Sequence, residues 1–113
     1  MPVRSLASSI LRWPDATEVD RAVREWGARM SALRPEVLRI GYFGSYAKGN
    51  WGPGSDVDLI VIVRSSEEPF ERRAARWDTT QLPVPADLLV YTEEEWRRLG
   101  SRLVSEPAVW VTG

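Results

Sequence analysis

Cysteine and histidine are both absent from this chain of 113 residues. Without cysteine the chain forms neither disulfide bonds nor thiolate nucleophiles, and without both residues it lacks the usual nitrogen and sulfur ligands of zinc. A catalytic triad with an imidazole base is excluded as well. Any catalysis must therefore depend on carboxylates and on a metal ion that they bind.

Lysine is nearly absent, since Lys48 is the only one. A serine-lysine nucleophile formed by Ser45 and Lys48 stays formally open, but no feature of an oxyanion hole accompanies the pair. The formal net charge is -1 and the isoelectric point is near 5.5. Proteins that bind free nucleic acid usually carry an excess of positive charge, which this chain does not have, so we expect no polynucleotide partner.

Long apolar runs are absent too. No stretch approaches the roughly 18 residues of a membrane span, and Arg4 and Arg12 interrupt the first residues, unlike a secretory signal. We therefore expect a cytoplasmic protein without a membrane partner. Length and a hydrophobic content of 43% predict a single domain over residues 1–113, which buries roughly 60 to 68% of its unfolded surface.

Apolar periodicity predicts alternating helices and strands. In order, these are a helix at Asp15–Leu33, strands at Val37–Phe43 and Val57–Val63, a short helix at Phe70–Trp77 with surface arginines, a strand at Val84–Tyr91, a helix after the capping box Thr92–Glu95, and a short edge strand at Val109–Val111. In the first helix, Thr17 and Asp20 have capping-box spacing. Residues Met1–Trp13 show no definite pattern.

The stretch Gly41–Val63 joins two predicted strands through a glycine-rich loop and places two aspartates at the start of the second strand. Residues two apart on a strand project to the same face, so Asp56 and Asp58 point the same way. Two ionised carboxylates about 5 Å apart repel by roughly 3 kcal/mol at an effective dielectric near 20, unless a cation lies between them or one is protonated. Magnesium suits such a pair, because it binds through one or two carboxylates plus substrate phosphates.

The glycine-rich half of the stretch can supply a phosphate site. Gly44 and Ser45 follow the first strand and could open a short helix over Ser45–Lys48, whose first N-H groups would face a phosphate. The loop Gly49–Gly54 then lets a ligand approach the backbone. A plainer alternative stays open, in which Gly44-Ser45 is only a turn with a helix cap and Asp56 caps the start of a strand. The two halves together favour a functional site.

At this spacing, Gly44-Ser45, Gly49 and Ser55-Asp56-Val57-Asp58-Leu59 resemble the fingerprint of the minimal nucleotidyltransferases of the DNA polymerase beta superfamily. In that family the Gly-Ser turn holds the triphosphate, and two aspartates on one strand bind two magnesium ions. A carboxylate on a neighbouring strand completes the site. The resemblance therefore implies the nucleotidyltransferase fold, a small α/β (α+β) domain with a mixed sheet of three to four strands. Its helices should pack on one face, with the carboxylates on the other, exposed face.

The resemblance also implies roles for individual residues. The catalytic and metal-binding residues would be Asp56, Asp58 and Asp87, holding two Mg²⁺ ions. The residues that hold ATP or another nucleoside triphosphate would be Gly44, Ser45, Lys48, Gly49 and Ser55.

Two aromatic residues of the motif have open roles. Tyr46 departs from the family pattern, because relatives often carry an arginine there, and this leaves that phosphate contact open. Lys48 keeps a positive charge nearby. Trp51 lies in the loop itself, where it could stack on a base or simply shield the loop or a partner surface.

Two functions follow from the resemblance. The leading hypothesis is metal-dependent transfer of a nucleotidyl group, AMP from ATP, to a hydroxyl of a partner protein, since the acidic balance disfavours RNA and the chain shows no acceptor domain. The alternative is a non-catalytic antitoxin or adaptor module that binds a helical partner of the HEPN type. Asp87 favours catalysis, because an adaptor needs no third carboxylate. Homo-oligomerisation stays open.

Overall fold

The computed structural model describes residues 13–103 and 108–112, apart from the side chains of Ser101 and Leu103. Its elements in chain order are α1 (Ala16–Leu33), β1 (Val37–Phe43), α2 (Ser45–Lys48), β2 (Val57–Val63), α3 (Phe70–Arg73) with a 3-10 turn at Ala74–Arg76, β3 (Ala86–Thr92), α4 (Glu93–Leu103) and β4 (Val109–Thr112). The bounds of β1, α2 and β2 are those that the sequence predicts. Residues 1–12, where the pattern predicts no definite element, lie outside the described part.

A mixed sheet with the strand order β3-β2-β1-β4 is the centre of the described structure. β1 runs antiparallel to both β2 and β4, whereas β2 runs parallel to β3. Parallel neighbours need a crossover connection, which residues 64–85 supply through α3. The predicted small mixed sheet is confirmed, and β4 is the edge strand that the sequence predicts. Within the described ranges, no helix has the length and apolarity that crossing a bilayer requires.

One face of the sheet packs against α1. The odd-numbered residues of β2, from Val57 to Val63, are buried on this face together with Val19, Val23 and Trp26 of the helix. Burial of each such side chain contributes about 1.5 to 3 kcal/mol. β2 lies between two other strands, and this central position explains why its sequence is continuously apolar after Asp58.

The other face of the sheet carries a second apolar cluster. Its buried members are Ile60, Ile62 and Tyr91, and Trp96 and Trp110 are among the partly buried residues that pack against them. Trp96 belongs to α4, so this helix adds to the face opposite α1, whereas the sequence predicts helices on one face. Trp96 packs on this face against Trp110 and Tyr91, with ring centroids 5.7 and 6.1 Å apart. Asp58 lies two residues before Ile60 and therefore shares this second face, opposite α1.

Side-chain hydrogen bonds define where the two longer helices begin. Asp15 caps α1, because its Oδ1 accepts a hydrogen bond from the Glu18 backbone N-H at 2.8 Å. The predicted capping role of Thr17 with Asp20 is therefore wrong. Asp20 instead accepts a hydrogen bond from the Tyr42 hydroxyl at 2.8 Å, which ties α1 to β1.

The capping box at the start of α4 is confirmed. The Thr92 backbone N-H donates to Glu95 Oε1 at 2.8 Å, and the Glu95 backbone N-H donates to Thr92 Oγ1 at 3.2 Å. These reciprocal bonds satisfy N-H groups that a helix start leaves without partners. They also orient the Glu95 carboxylate toward β3.

Arg73 is buried, which corrects its predicted surface position. Its guanidinium donates to both carboxylate oxygens of Glu95, at 2.6 and 3.2 Å, and to the carbonyls of Glu68 and Val90. The Arg73 guanidinium lowers the pKa of the Glu95 carboxyl to about 2. The predicted helix Phe70–Trp77 is divided into α3 and the 3-10 turn, and Arg73 fixes α3 against β3 and α4.

Candidate active site

Asp58 and Asp87 are directly opposite each other on the parallel strands β2 and β3. Cα atoms of neighbouring strands lie about 4.8 Å apart, and residues in parallel register project to the same face. Asp58 is half-buried and Asp87 is exposed. The structure therefore brings these two predicted site residues together as a carboxylate pair that solvent can reach.

Asp56 lies one residue before β2 and is exposed. The next residue, Val57, joins the sheet by donating its N-H to the Pro85 carbonyl at 2.9 Å. Proline has no N-H of its own, which explains why β3 begins at Ala86 and not at the predicted Val84. Asp56 thus lies where β2 begins, on the same side of the fold as the Asp58 and Asp87 pair.

Gly44 lies against the Asp58 carboxylate. A Cβ at this position would lie 2.2 Å from Asp58 Oδ2, and the Gly44 φ of +76° is a backbone conformation that favours glycine. Any side chain at residue 44 would occupy the space that the Asp58 carboxylate fills. The glycine therefore lets the turn after β1 approach this carboxylate.

The short helix α2 begins immediately after Gly44 and spans Ser45–Lys48, as predicted. It ends at Gly49, whose left-handed conformation (φ +84°) allows its N-H to bond to the Ser45 carbonyl at 3.0 Å. Ser45 is half-buried, whereas Lys48 and Gly49 are exposed. The first N-H groups of a helix have no partner within it. Here the helix begins beside a carboxylate pair, and a phosphate with its cation can bridge the two.

Ser55 closes the loop that follows α2. Its hydroxyl accepts a hydrogen bond from the Gly52 N-H at 2.9 Å, and its own N-H donates to the Gly52 carbonyl at 2.9 Å. The side chain of Ser55, one of the predicted triphosphate-binding residues, thus has a partner inside the loop. Ser55 directly precedes Asp56, at the point where the loop leads into β2.

Tyr46 is buried, with 4% of its surface exposed. Its hydroxyl accepts a hydrogen bond from Trp13 Nε1 at 2.9 Å and donates to the Ser55 carbonyl at 3.2 Å. Its ring stacks on Trp51, with centroids 5.7 Å apart and an angle of 10° between the rings. The structure thus gives Tyr46 a role inside the fold, and Trp51 covers the loop, which favours the shielding interpretation over base stacking.

The chemistry of this donor set fits a divalent cation and a phosphate. Asp56, Asp58 and Asp87 carry carboxylate oxygens, the kind of hard ligand that magnesium prefers. Within residues 13–103 and 108–112, no group of three acidic side chains is arranged to hold a metal ion by itself. Magnesium is commonly held by one or two carboxylates and completed by water and substrate phosphates. The pair of Asp58 and Asp87 beside Gly44 meets that requirement.

A cleft of about 410 Å³ lies at the opposite end of the sheet, where β2 ends. Its arginines have partners inside the protein. Arg34 lies over the Trp77 ring at 4.1 Å, and Arg76 pairs with Glu68. Because these arginines already interact with groups of the protein, they are less available to bind a ligand. The geometry of the aspartates and the Gly44 turn, and not the size of this cleft, therefore locates the candidate site.

An acidic strand pair beside a glycine turn is suited to a protein that handles a phosphate-bearing substrate with a divalent cation. Residues 24–109 match the family model described as nucleotidyltransferase domain. The chain therefore belongs to the nucleotidyltransferase domain family, within the DNA polymerase beta superfamily, as the sequence motif implies. Membership supports a general nucleotidyltransferase function.

Solved structures support the same fold. The chain is similar to a crystal structure of a protein from Sulfolobus solfataricus that is assigned as a nucleotidyltransferase, with 20% sequence identity and a TM-score of 0.60. The alignment covers 74% of this chain and 75% of that one. A comparison with curated proteins gives no match. At this identity the structural likeness shows the fold alone, and it agrees with the family assignment.

Proposed function

We propose that this protein transfers a nucleotidyl group, AMP from ATP, to a hydroxyl of a partner protein. The observation that carries the proposal is the contact between the Gly44 turn and Asp58, whose strand neighbour is Asp87. A triphosphate held at the turn would place its phosphates beside these carboxylates. The same arrangement would serve another nucleoside triphosphate, and ATP is the substrate to test first.

Each predicted site residue has a task in this proposal. Asp56, Asp58 and Asp87 would hold Mg²⁺, expected as two ions. Bound cations would neutralise charge on the phosphates and favour ionisation of the attacking hydroxyl. The residues that would hold the β- and γ-phosphates are Gly44, Ser45, Lys48 and Gly49, with Ser55 fixing the loop.

The proposed reaction is an in-line displacement at the α-phosphorus. An acceptor hydroxyl oxygen forms a bond to this phosphorus, and the bond from the phosphorus to the oxygen bridging the β-phosphate breaks. Pyrophosphate leaves, and the hydroxyl proton passes to solvent or to the exposed Asp87 carboxylate. The role of the protein is to hold the reactants in position and to gather opposite charge around them.

A protein acceptor agrees with the exposure and charge of the site. Asp56 and Asp87 are exposed, so a side chain of another molecule can reach these two carboxylates. The net charge of -1 disfavours a polynucleotide acceptor, which proteins attract with clustered positive charge.

A second candidate function is a non-catalytic module that binds a helical partner of the HEPN type. One observation favours it, namely that no group of three acidic side chains forms a ready metal site within the described residues. A module that acts by covering its partner needs neither metal nor nucleotide. The two candidates differ in whether label from a nucleotide becomes covalently attached to the partner.

The test uses ATP labelled at either the α- or the γ-phosphate, incubated with the purified full chain and the proteins that copurify with it. We expect label from the α position alone on a partner protein. Asp58→Asn is the matched control and should lower the rate at least about a thousandfold, or about 4 kcal/mol of transition-state stabilisation. Label from the γ position alone would indicate a kinase. No transfer to a partner that binds wild type and variant equally would favour the binding module.

A further inference from the structure

The Tyr46 hydroxyl joins three separate segments of the chain. It accepts a hydrogen bond from Trp13, which precedes α1, and donates to the carbonyl of Ser55, which precedes Asp56. Tyr46 itself lies in the first turn of α2, two residues after Gly44. One hydroxyl therefore connects the segment before α1, the turn beside Asp58 and the residue next to Asp56.

The bond to the Ser55 carbonyl ties the helix that precedes the loop at residues 49–56 to a residue near the end of that loop. The loop at residues 49–56 contains three glycines, so it would lose much conformational entropy on becoming ordered. Tyr46 limits this freedom in two ways, since its hydroxyl bonds to Ser55 and its ring stacks on Trp51. The Ser55 hydroxyl adds a bond across the loop to Gly52.

We propose that Tyr46 is a positioning residue of the site, an inference that rests on the proposed function. Its hydroxyl sets where Ser55 lies, and Ser55 sets where the chain enters β2 with Asp56. Its backbone, in α2, follows the Gly44 turn that touches Asp58. Tyr46 thereby fixes the phosphate-binding turn relative to the carboxylates without itself contacting the phosphate.

The test compares Tyr46→Phe with Tyr42→Phe in the full chain. Both tyrosines are buried, with 4% and 6% of their surfaces exposed, and both hydroxyls are hydrogen-bonded. Tyr42 donates to Asp20 of α1, and neither residue belongs to the loop at 49–56, so this variant controls for the general loss of a buried hydroxyl. Two quantities are measured for each protein: amide hydrogen exchange over residues 49–56, and affinity for ATP with Mn²⁺ by calorimetry.

We expect faster exchange in the loop only for Tyr46→Phe, with ATP binding about five- to tenfold weaker, as the loss of one or two hydrogen bonds implies. Tyr42→Phe should leave both quantities within about twofold of wild type, although its melting temperature falls. Unchanged loop exchange in Tyr46→Phe, or equal loss of affinity in both variants, would overturn the positioning role. If wild type binds no ATP with Mn²⁺, the proposed function fails and this inference with it, while the exchange data still show whether Tyr46 holds the loop.

Discussion

Gly44 and Asp58 touch so closely that a methyl group on the glycine would lie 2.2 Å from the aspartate Oδ2. Gly44→Ala must therefore displace the Asp58 carboxylate as well as strain a backbone with positive φ. We expect a loss of roughly 1 to 3 kcal/mol in unfolding free energy and loss of ATP binding, measured by denaturant titration and calorimetry.

Gly54→Ala is the matched control for this prediction. Gly54 also has a positive φ, of +88°, but nothing lies within 4 Å of the position that a Cβ would occupy. Its substitution should incur the backbone strain alone. Similar loss of ATP binding in both variants would contradict a specific role for the contact between Gly44 and Asp58.

Asp87→Asn should leave the fold intact. Asp87 is exposed and lies opposite Asp58, so its neutralisation removes a repulsion between like charges. We expect an unchanged or slightly higher melting temperature without ligand. The increase that Mg²⁺ and ATP cause in wild type should disappear. A large fall in the ligand-free melting temperature would instead make Asp87 a structural residue.

Mg²⁺ or Mn²⁺ together with ATP should raise the melting temperature of the wild-type protein. A ligand that binds only the folded state stabilises it by about 2.7 kcal/mol at a hundredfold excess over its Kd. Each component alone should have a smaller effect, because the phosphates complete the coordination of the cation. A chelator should reverse the shift. No shift at millimolar ATP and metal would argue strongly against the site.

Lowering the pH should reduce the unfolding free energy of the protein, because Glu95 becomes protonated. The pKa of this carboxyl is about 2 in the folded protein, below its ordinary value of 4.5, because Arg73 hydrogen-bonds to it. A lowered pKa stabilises the fold above the unfolded-state value, and this contribution is lost as pH falls from about 4.5 toward 2. We expect this pair to contribute about 2 kcal/mol to the unfolding free energy at neutral pH. The value is reduced because the Glu95 side chain is 27% exposed and solvent screens the pair.

The measurement is the unfolding free energy of wild type and Glu95→Gln between pH 7 and pH 3. The difference between the two proteins should be largest at neutral pH and shrink as pH falls below about 4.5. Glu93→Gln is the control, because the ion pair of Glu93 with Arg97 is exposed and its loss should change stability little. A constant difference across this pH range would show that the Arg73 pair does not carry the acid sensitivity.

Local patterns in the sequence predict much of this fold. Alternation of apolar residues gives the bounds of β1 and β2, and glycine at 44 and 49 gives those of α2. Asp58 lies on the predicted face because side chains alternate along a strand. The pairing of Asp58 with Asp87 follows from the family motif together with a strand pattern around residue 87.

Contacts between distant segments are what the sequence does not predict. Arginine is usually found at the surface, so the sequence predicts an exposed Arg73. Only the fold brings Glu95 to it. The role of Tyr46 depends on Trp13, a residue in a segment without a clear pattern. A tyrosine in place of the family arginine, with a tryptophan five residues later, is the signal that could have indicated an internal role.

The parallel pairing of β2 with β3 also determines when the site can appear during folding. Asp56 and Asp58 are close to Gly44 along the chain, but Asp87 reaches them only after the crossover of residues 64–85 has closed. Closing such a connection is entropically unfavourable, and contacts of this kind form slowly. A chain in which β3 has not yet paired with β2 would hold the glycine turn, Asp56 and Asp58 but not Asp87 at the site. Binding of ATP with metal would thus report the completion of folding, and the unfinished chain would be unable to consume nucleotide.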